Sequence, residues 1–551
     1  MSPPVLTATL LRNGVIHPRA GSSDSTEALL VLGERVLDFG DGDDLAAGWT
    51  GQLQSIDLHG RAVLPGLCDA HLHLEKYSRA VAQVDCETAS REECLRRVAA
   101  RAARTPPGEW VLGHGWNQND WGGHGTAMEL DLVAPENPVY LTAKSLHAAW
   151  VNSRALQAAL IESPTPNPPG GVIVRDGQGA PTGILLESAL SLVADRIPTS
   201  APEAIAQEIA AAQAGLWRFG ITAVHDFDGP SCLRALQILH AQGSLRLHVL
   251  KSIPIELLDQ AAALGLQSGF GDDWLRLGHV KIFADGALGP RTAAMLQPYA
   301  GEPGNTGISL IDREGILEAG IRAAHSGLPL AIHAIGDRAN HEAIEGLAAL
   351  RLFERRHALP PLRHRIEHLQ LLHPDDLARP SELGLVVSMQ PIHATSDMPM
   401  ADRYWGERSR YAYAWRSQLE RSRYAYAWRS QLERGALAVF GSDAPVESPN
   451  PFLGLHAAVT RCRADGSPGP EGWFPEERIP LEAALLGFTE GPAEVAGMAD
   501  RLGRLEPGCY ADLTVLDDDP YRLAPADLAA VRPRATMVAG RWVYPDGDPG
   551  F

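Results

Sequence analysis

Cysteine, positive charge and long apolar runs are all scarce or badly placed in this 551-residue chain. Its six cysteines (Cys68, Cys86, Cys94, Cys232, Cys462 and Cys509) include no Cys-x-x-Cys pair, so neither a zinc knuckle nor a disulfide framework is indicated. Lys and Arg total 48 against 67 Asp and Glu, a formal net charge of −19. Such a surface repels phosphates and anionic membrane faces. No uninterrupted apolar run reaches the ~20 residues of a membrane span. The start, Met1-Ser2-Pro3-Pro4-Val5, lacks the basic-then-apolar order of a secretory signal. No Gly-x-Gly-x-x-Gly follows an early strand, which removes the phosphate loop that a doubly wound sheet would call for. The expectation is a cytoplasmic protein that binds a small molecule, with no nucleic-acid and no membrane partner. Self-association into a homodimer is left open.

What is present is ordinary enzyme composition, 45% hydrophobic and 21% charged, in a chain long enough for more than one domain. Residues 5–11, 28–32, 35–39 and 54–58 read as short strands separated by turn signals such as Asn13-Gly14 and Gly33-Glu34. They are too few to close a sandwich alone. Residues 512–516, 535–538 and 541–544 have the same character. The two ends, 1–61 and 500–551, are therefore expected to build one small β-sandwich domain.

Between them, strand-like and helix-like segments alternate. Strands are expected at 62–74, 221–227, 245–253, 277–283, 328–334, 365–369, 385–390 and 437–442, with helices such as 202–219, 313–325 and 340–351. Eight strands with intervening helices predict a (β/α)8 TIM-like barrel over 62–499, whose chemistry sits at the C-terminal strand ends. The interval from His73 to Ile221 far exceeds the ~30 residues of one βα unit. Residues 85–200 are expected to form an insert subdomain after the first barrel strand, roofing the site. Residues 409–421 read SRYAYAWRSQLER, and residues 422–434 repeat them identically. Thirteen residues do not restore helical phase at 3.6 per turn, so one copy is expected to pack and the other to bulge or be solvated.

The first barrel strand carries His71 and His73, which point to the same face at a spacing of two. Imidazole is the commonest metal ligand, although two histidines in a strand are often merely polar residues at a sheet edge. Later strands add Lys281, His333, His368 and Asp443, each at or near a strand end. A strand-end Asp often caps a turn, and a lone His is more often structural. A lysine inside an apolar strand is harder to dismiss, because an unpaired buried ammonium is costly.

The stretches GLCDAHLHL, GHGWNQNDW, HAAWVNSRAL, GITAVHDF, VKIFADGALGPRTAAM, AIHAIGD, RIEHLQ, MQPIHATSD and GSDAPVESPNPF resemble the amidohydrolase superfamily. More narrowly they resemble its YtcJ-like branch, amidohydrolase family 3, which includes N-substituted formamide deformylases. The resemblance implies a metal-dependent hydrolase of a non-peptide C–N bond in an amide, formamide or cyclic amide. It implies two zinc ions, one on His71, His73 and Asp443 and one on His333 and His368, bridged by a carboxylated Lys281. A single metal with an unmodified lysine is the alternative. A metal-activated hydroxide would attack, with Asp443 as catalytic proton shuttle. Substrate contacts are expected from His147, Trp116 and Asn117 on the insert, from Arg291 after the lysine strand, and from His393 after the seventh strand. The branch usually has Asp-Gly before the equivalent of His147, where Ser145-Leu146 stands here, and often has serines at Ala287 and Pro290. A deaminase, an ester or lactone hydrolase, or a non-catalytic assembly protein are the competing readings.

Overall fold

The computed structural model describes residues 7–198, 200–416, 437–547 and 549–550. Its centre is one eight-stranded parallel sheet in which each strand pairs with the next in chain order. The strands are β1 (Leu67–Leu72), β2 (Ile221–Asp226), β3 (His248–Pro254), β4 (Leu275–Phe283), β5 (Leu330–Ala334), β6 (Arg365–His368), β7 (Val386–Met389) and β8 (Leu437–Phe440). The sheet curls until its ends meet: the Asp443 N–H beyond β8 donates to the His71 carbonyl of β1 at 2.7 Å. Gly441 permits this approach, since a Cβ there would collide with the His71 backbone nitrogen. The result is a nearly closed TIM-like barrel, as expected.

The helices outside the barrel follow from sequence periodicity. Helix Asp337–Arg356 buries Ala339, Ala343, Ile344, Leu347 and Leu350 at intervals of one, three and four, a single apolar stripe. It packs beside Arg313–His325, whose N-terminus is capped by the Asp312 carboxylate accepting from Gly315 N at 2.9 Å.

One strand expectation is corrected. Residues 62–74 do not form one barrel strand. They split at Pro65-Gly66 into Ala62–Pro65 and β1. The first piece pairs with Leu513–Leu516 in a five-stranded sheet that also contains Val15–Ile16, Pro533–Val538 and Arg541–Tyr544. Gly66 N donates to Asp512 O, and Leu67 N, one residue on, donates to Gly220 O. The chain thus changes sheets within one residue. A separate four-stranded sheet holds Thr7–Arg12, Ala28–Leu32, Arg35–Gly40 and Gln52–Asp57.

A six-stranded sheet lies between β1 and β2 in the chain, built from Val84–Asp85, Val111–Trp116, Val139–Ala143, Ala148–Val151, Gly171–Arg175 and Pro181–Glu187. Its own core includes the edge-to-face indoles of Trp116 and Trp150. In the duplicated stretch, Ala412, Tyr413 and Trp415 of the first copy are buried. Tyr413 N donates to Gln370 O. The Arg461 guanidinium lies 4.2 Å from the Trp415 ring centre. Residues 417–436, and with them the second copy, lie outside the described residues.

Candidate active site

His71 and His73 face Asp443 at the C-terminal mouth of the barrel. Their Nε2 atoms lie 3.4 and 3.3 Å from the same carboxylate oxygen, Oδ1. The far side of each ring is held. His71 Nδ1 is 2.6 Å from Glu367 Oε2, and His73 Nδ1 is 3.0 Å from Asp228 Oδ1. Such anchoring fixes the tautomer and aims the other nitrogen inward, the arrangement that metal-ligating histidines show. Glu367 is itself gripped by the fully buried Arg365, at 2.5 Å from Nε and 2.9 Å from a terminal nitrogen. Burial would raise the Glu367 carboxyl, but Arg365 and His71 hold it well below the usual carboxylate range.

His333 and His368 project from β5 and β6, with ring centres 4.5 Å apart. His368 Nδ1 donates to Gln390 Oε1 at 2.8 Å, and His333 Nε2 donates to Gly286 O at 3.0 Å. Burial, reinforced by nearby rings and the Lys281 charge, drives both histidines well below their ordinary value, for His368 against the opposing pull of Asp443; this favours the neutral form. Neutral imidazole is the form that binds a metal. Burial would raise Asp443, yet His71, His73 and His368 hold it well below the ordinary carboxylate value. Asp443 and His368 both sit at positive φ, 59° and 69°, a strained backbone for residues with a Cβ and a feature concentrated at functional sites.

Lys281 is 4% exposed, and its Nζ has no hydrogen-bond partner among the described residues. The amine lies 4.6 and 4.9 Å from the ring centres of Phe227 and Phe283. Burial lowers its pKa to about 8, against the opposing pull of Glu367 and Asp443.

Above these groups opens a cleft whose walls include His147, Trp116, Asn117, His333, His368, His393 and Asp443. The Trp116 indole is fully buried and donates to Leu141 O, so at the wall it is fixed as part of the insert's core. Asn117 is tied to Asp120 and Asn119. His147 Nδ1 meets Glu187 Oε2 at 2.8 Å. Burial depresses His147, but the Glu187 charge raises it overall. Arg291 does not line the cleft: its guanidinium pairs with Glu302 and lies over the Tyr404 ring. Asp285 shapes the loop after β4, accepting from the backbone N–H groups of Ile335, Gly336 and Ala294.

The insert is clasped to the loop after Asp443. Lys144 bridges Glu87 and Glu447 at 2.6 and 3.1 Å, and His114 Nε2 donates to Pro445 O at 2.9 Å. Sequence reading passed over Glu367, Asp228, Gln390 and Glu187. Glu367 is adjacent to His368, and Asp228 lies two residues past β2. Either position could have been flagged as an acidic residue at a strand end.

A family model described as "Amidohydrolase family" matches residues 54–544. The chain is 31% identical to the Bacillus subtilis protein named as amidohydrolase YtcJ, over 96% of this chain and 98% of that one. It is 28% identical to an N-substituted formamide deformylase of Arthrobacter pascens, over 96% and 97%. A solved Pyrococcus furiosus structure, titled an uncharacterized metal-dependent hydrolase, superposes with a TM-score of 0.72 at 29% identity. That match covers 94% of this chain and 100% of that one.

Proposed function

Because the chain belongs to the amidohydrolase family, we propose that it is a metal-dependent hydrolase of a non-peptide C–N bond, in an amide, formamide or cyclic amide. The observation that carries this reading is the convergence of two anchored imidazoles on Asp443, beside a buried, unpartnered Lys281. The donor set fits zinc-like divalent ions: His71, His73 and Asp443 on one side, and His333, His368 and Lys281 on the other. Ions held there supply Lewis-acid polarisation of a carbonyl and lower the pKa of water.

The chain's own residues do the remaining work. Asp443, held ionised, accepts the proton of the attacking water and delivers it to the departing nitrogen. A lysine pKa of about 8 leaves a substantial neutral fraction near pH 8, and only the neutral amine adds carbon dioxide. The Nζ–C bond forms as one proton leaves, which converts an orphaned amine into an anionic two-oxygen donor. His147, fixed by Glu187, presents its other nitrogen to the cleft as a substrate contact. The name of the Arthrobacter relative makes N-substituted formamides the first substrates to try.

The test is elemental analysis of the purified chain together with a hydrolysis screen over formamides, N-acyl amino acids and hydantoins. About one to two zinc-like ions per chain and chelator-sensitive turnover are expected. Full-rate amide hydrolysis by the metal-free protein would overturn the reading.

A further inference from the structure

Arg463 lies just past helix Pro451–Thr460 and lines the cleft. Its guanidinium is fixed by two backbone carbonyls: Nε donates to Thr395 O at 2.9 Å, and Nη2 donates to Ser396 O at 2.8 Å. That engages the edge formed by Nε and Nη2. The other edge, Nη1 with the second N–H of Nη2, makes no hydrogen bond or ion pair among the described residues. Asp465, exposed two residues on, is bonded to Ser467 instead. The acids of the cleft are engaged elsewhere. Glu87 and Glu447 share Lys144, Asp120 accepts from Asn117, and Asp397 accepts from Tyr413 and Gln370. A guanidinium edge held in place from behind matches the two oxygens of a carboxylate. The carbonyls that hold it end helix Pro391–Ser396, whose first turn carries His393. His393 is 6% exposed, and its buried Nε2 has no partner among the described residues. Such a bare nitrogen costs free energy unless something satisfies it. Its ring lies parallel to His368, with centres 6.1 Å apart. One wall of the cleft thus leads from His368 past a bare imidazole nitrogen to an open guanidinium edge.

We propose that Arg463 binds a carboxylate of the substrate, and that the chain hydrolyses N-acylated amino acids, N-formyl ones included, in preference to neutral amides of the same size. This rests on the metal-dependent hydrolase reading and narrows it. The carboxylate lies against the Nη1–Nη2 edge, the scissile carbonyl faces His333 and His368, and His393 Nε2 hydrogen-bonds the substrate between them. Leu288, Ile335 and Met400 in the same lining offer apolar surface to an amino-acid side chain. Water adds across the C–N bond, giving the free amino acid and formate or another carboxylate. Arg463 acts by binding and orienting the amide, not on the reacting atoms.

The experiment uses the full chain loaded with Zn²⁺ and a pair of substrates, N-formylphenylalanine (the faster enantiomer) and N-formylphenethylamine, which differs by lacking the carboxylate. The wild type should favour the acid in kcat/KM by roughly 10–100-fold, the effect of a hydrogen bond to a charged group, expressed mainly in KM. Arg463→Ala and Arg463→Gln should each bring that ratio close to one. Arg463→Lys, which keeps the charge and loses the fork, should retain part of it. Because the readout is a ratio within one variant, partial loss of folded or metal-loaded protein does not produce it. A wild type that favours neither substrate, or Ala and Gln variants that keep the wild-type ratio, would overturn the proposal and leave the hydrolase reading standing. So would a wild type that turns over neither member of the pair but hydrolyses other amides. A wild type that hydrolyses no amide overturns both.

Discussion

Lys251 and Lys281 stand on adjacent barrel strands, β3 and β4, and are 1% and 4% exposed. Their surroundings are opposite. Lys251 Nζ reaches Asp226 Oδ2 at 2.8 Å and donates to the carbonyls of Asp228 and Ser252. Burial would depress it, but Asp226 outweighs burial and raises its pKa. Asp226 in turn accepts from Leu74 N at 2.7 Å. Asp226, Asp228 and Cys232 are close enough to hold an ion, yet Lys251 already supplies the positive charge there. Lys281 has two phenyl faces and no acceptor. Burial alone therefore does not mark a functional group. One cluster is closed by an internal ion pair, whereas the lysine of the other lies between two aromatic rings near Asp443.

The sharpest test of that contrast is Asp443→Asn, which removes the proposed acid–base group and keeps the shape. General acid–base groups contribute roughly 10²–10⁴-fold, so kcat should fall by about that factor or more. The melting temperature of the metal-loaded protein should move by only a few degrees. Steady-state kinetics with parallel metal analysis measures both. Unimpaired turnover would remove Asp443 from the mechanism.

The lysines themselves should respond oppositely to removal of the amine. Lys251→Met leaves Asp226 buried without its counter-charge and should cost about 3–5 kcal/mol in urea denaturation. Lys281→Met replaces an unpartnered amine by an apolar side chain. It should leave the metal-free protein within about 1 kcal/mol of wild type, or more stable. The same change should abolish any carbamate signal seen by ¹³C NMR in labelled bicarbonate. Equal destabilisation by the two variants would break the contrast.

The pH dependence follows from the same pair. The Lys281 value of about 8 lies below the ordinary 10.5, so between these the unfolded chain holds more protons than the folded one. Stability of the metal-free protein should rise with pH across that window, relative to Lys281→Met, and be depressed below it. The raised pKa of Lys251 has the opposite sign: its contribution is present below 10.5 and lost as pH passes the higher folded value. Urea melts of wild type and Lys281→Met near pH 7.5 and 10 read the difference. A gap that widens with rising acidity supports the assignment, and a constant gap contradicts it.

The smallest effect is expected from the tandem copies. Tyr413 donates to the cleft-lining Asp397 at 2.5 Å, and its N–H is bonded to Gln370 O. Tyr413→Phe should cost about 1–3 kcal/mol in urea denaturation. Deleting either thirteen-residue copy yields the same chain. That chain keeps every residue type that contacts Gln370, Asp397 and Arg461, so metal content should be unchanged and the melting temperature nearly so. Loss of soluble protein would show that both copies pack.

The sequence by itself determined the barrel, because alternating strand and helix periodicities are local properties. Pattern alone bounds a helix at residues 313–325, and apart from residues 62–74 the barrel strands differ from expectation by a few residues at most. It also placed His71, His73 and Asp443 at strand ends, where a closed parallel barrel brings them to one mouth. The tertiary structure decided what local pattern cannot carry. Residues 62–74 split because Ala62–Pro65 finds its partner about 450 residues away, in Leu513–Leu516. Lys251 and Lys281 read alike as lysines in apolar strands, and only the presence of Asp226 beside one of them tells a structural cation from an orphaned amine. Glu367 and Asp228 acquire their roles from rings 296 and 155 residues distant in the chain. His393 was legible as a histidine after a strand. Its bare nitrogen beside His368 and Asp443 exists only once β6, β7 and β8 lie side by side, since a donor's chemistry depends on what its neighbours leave unsatisfied.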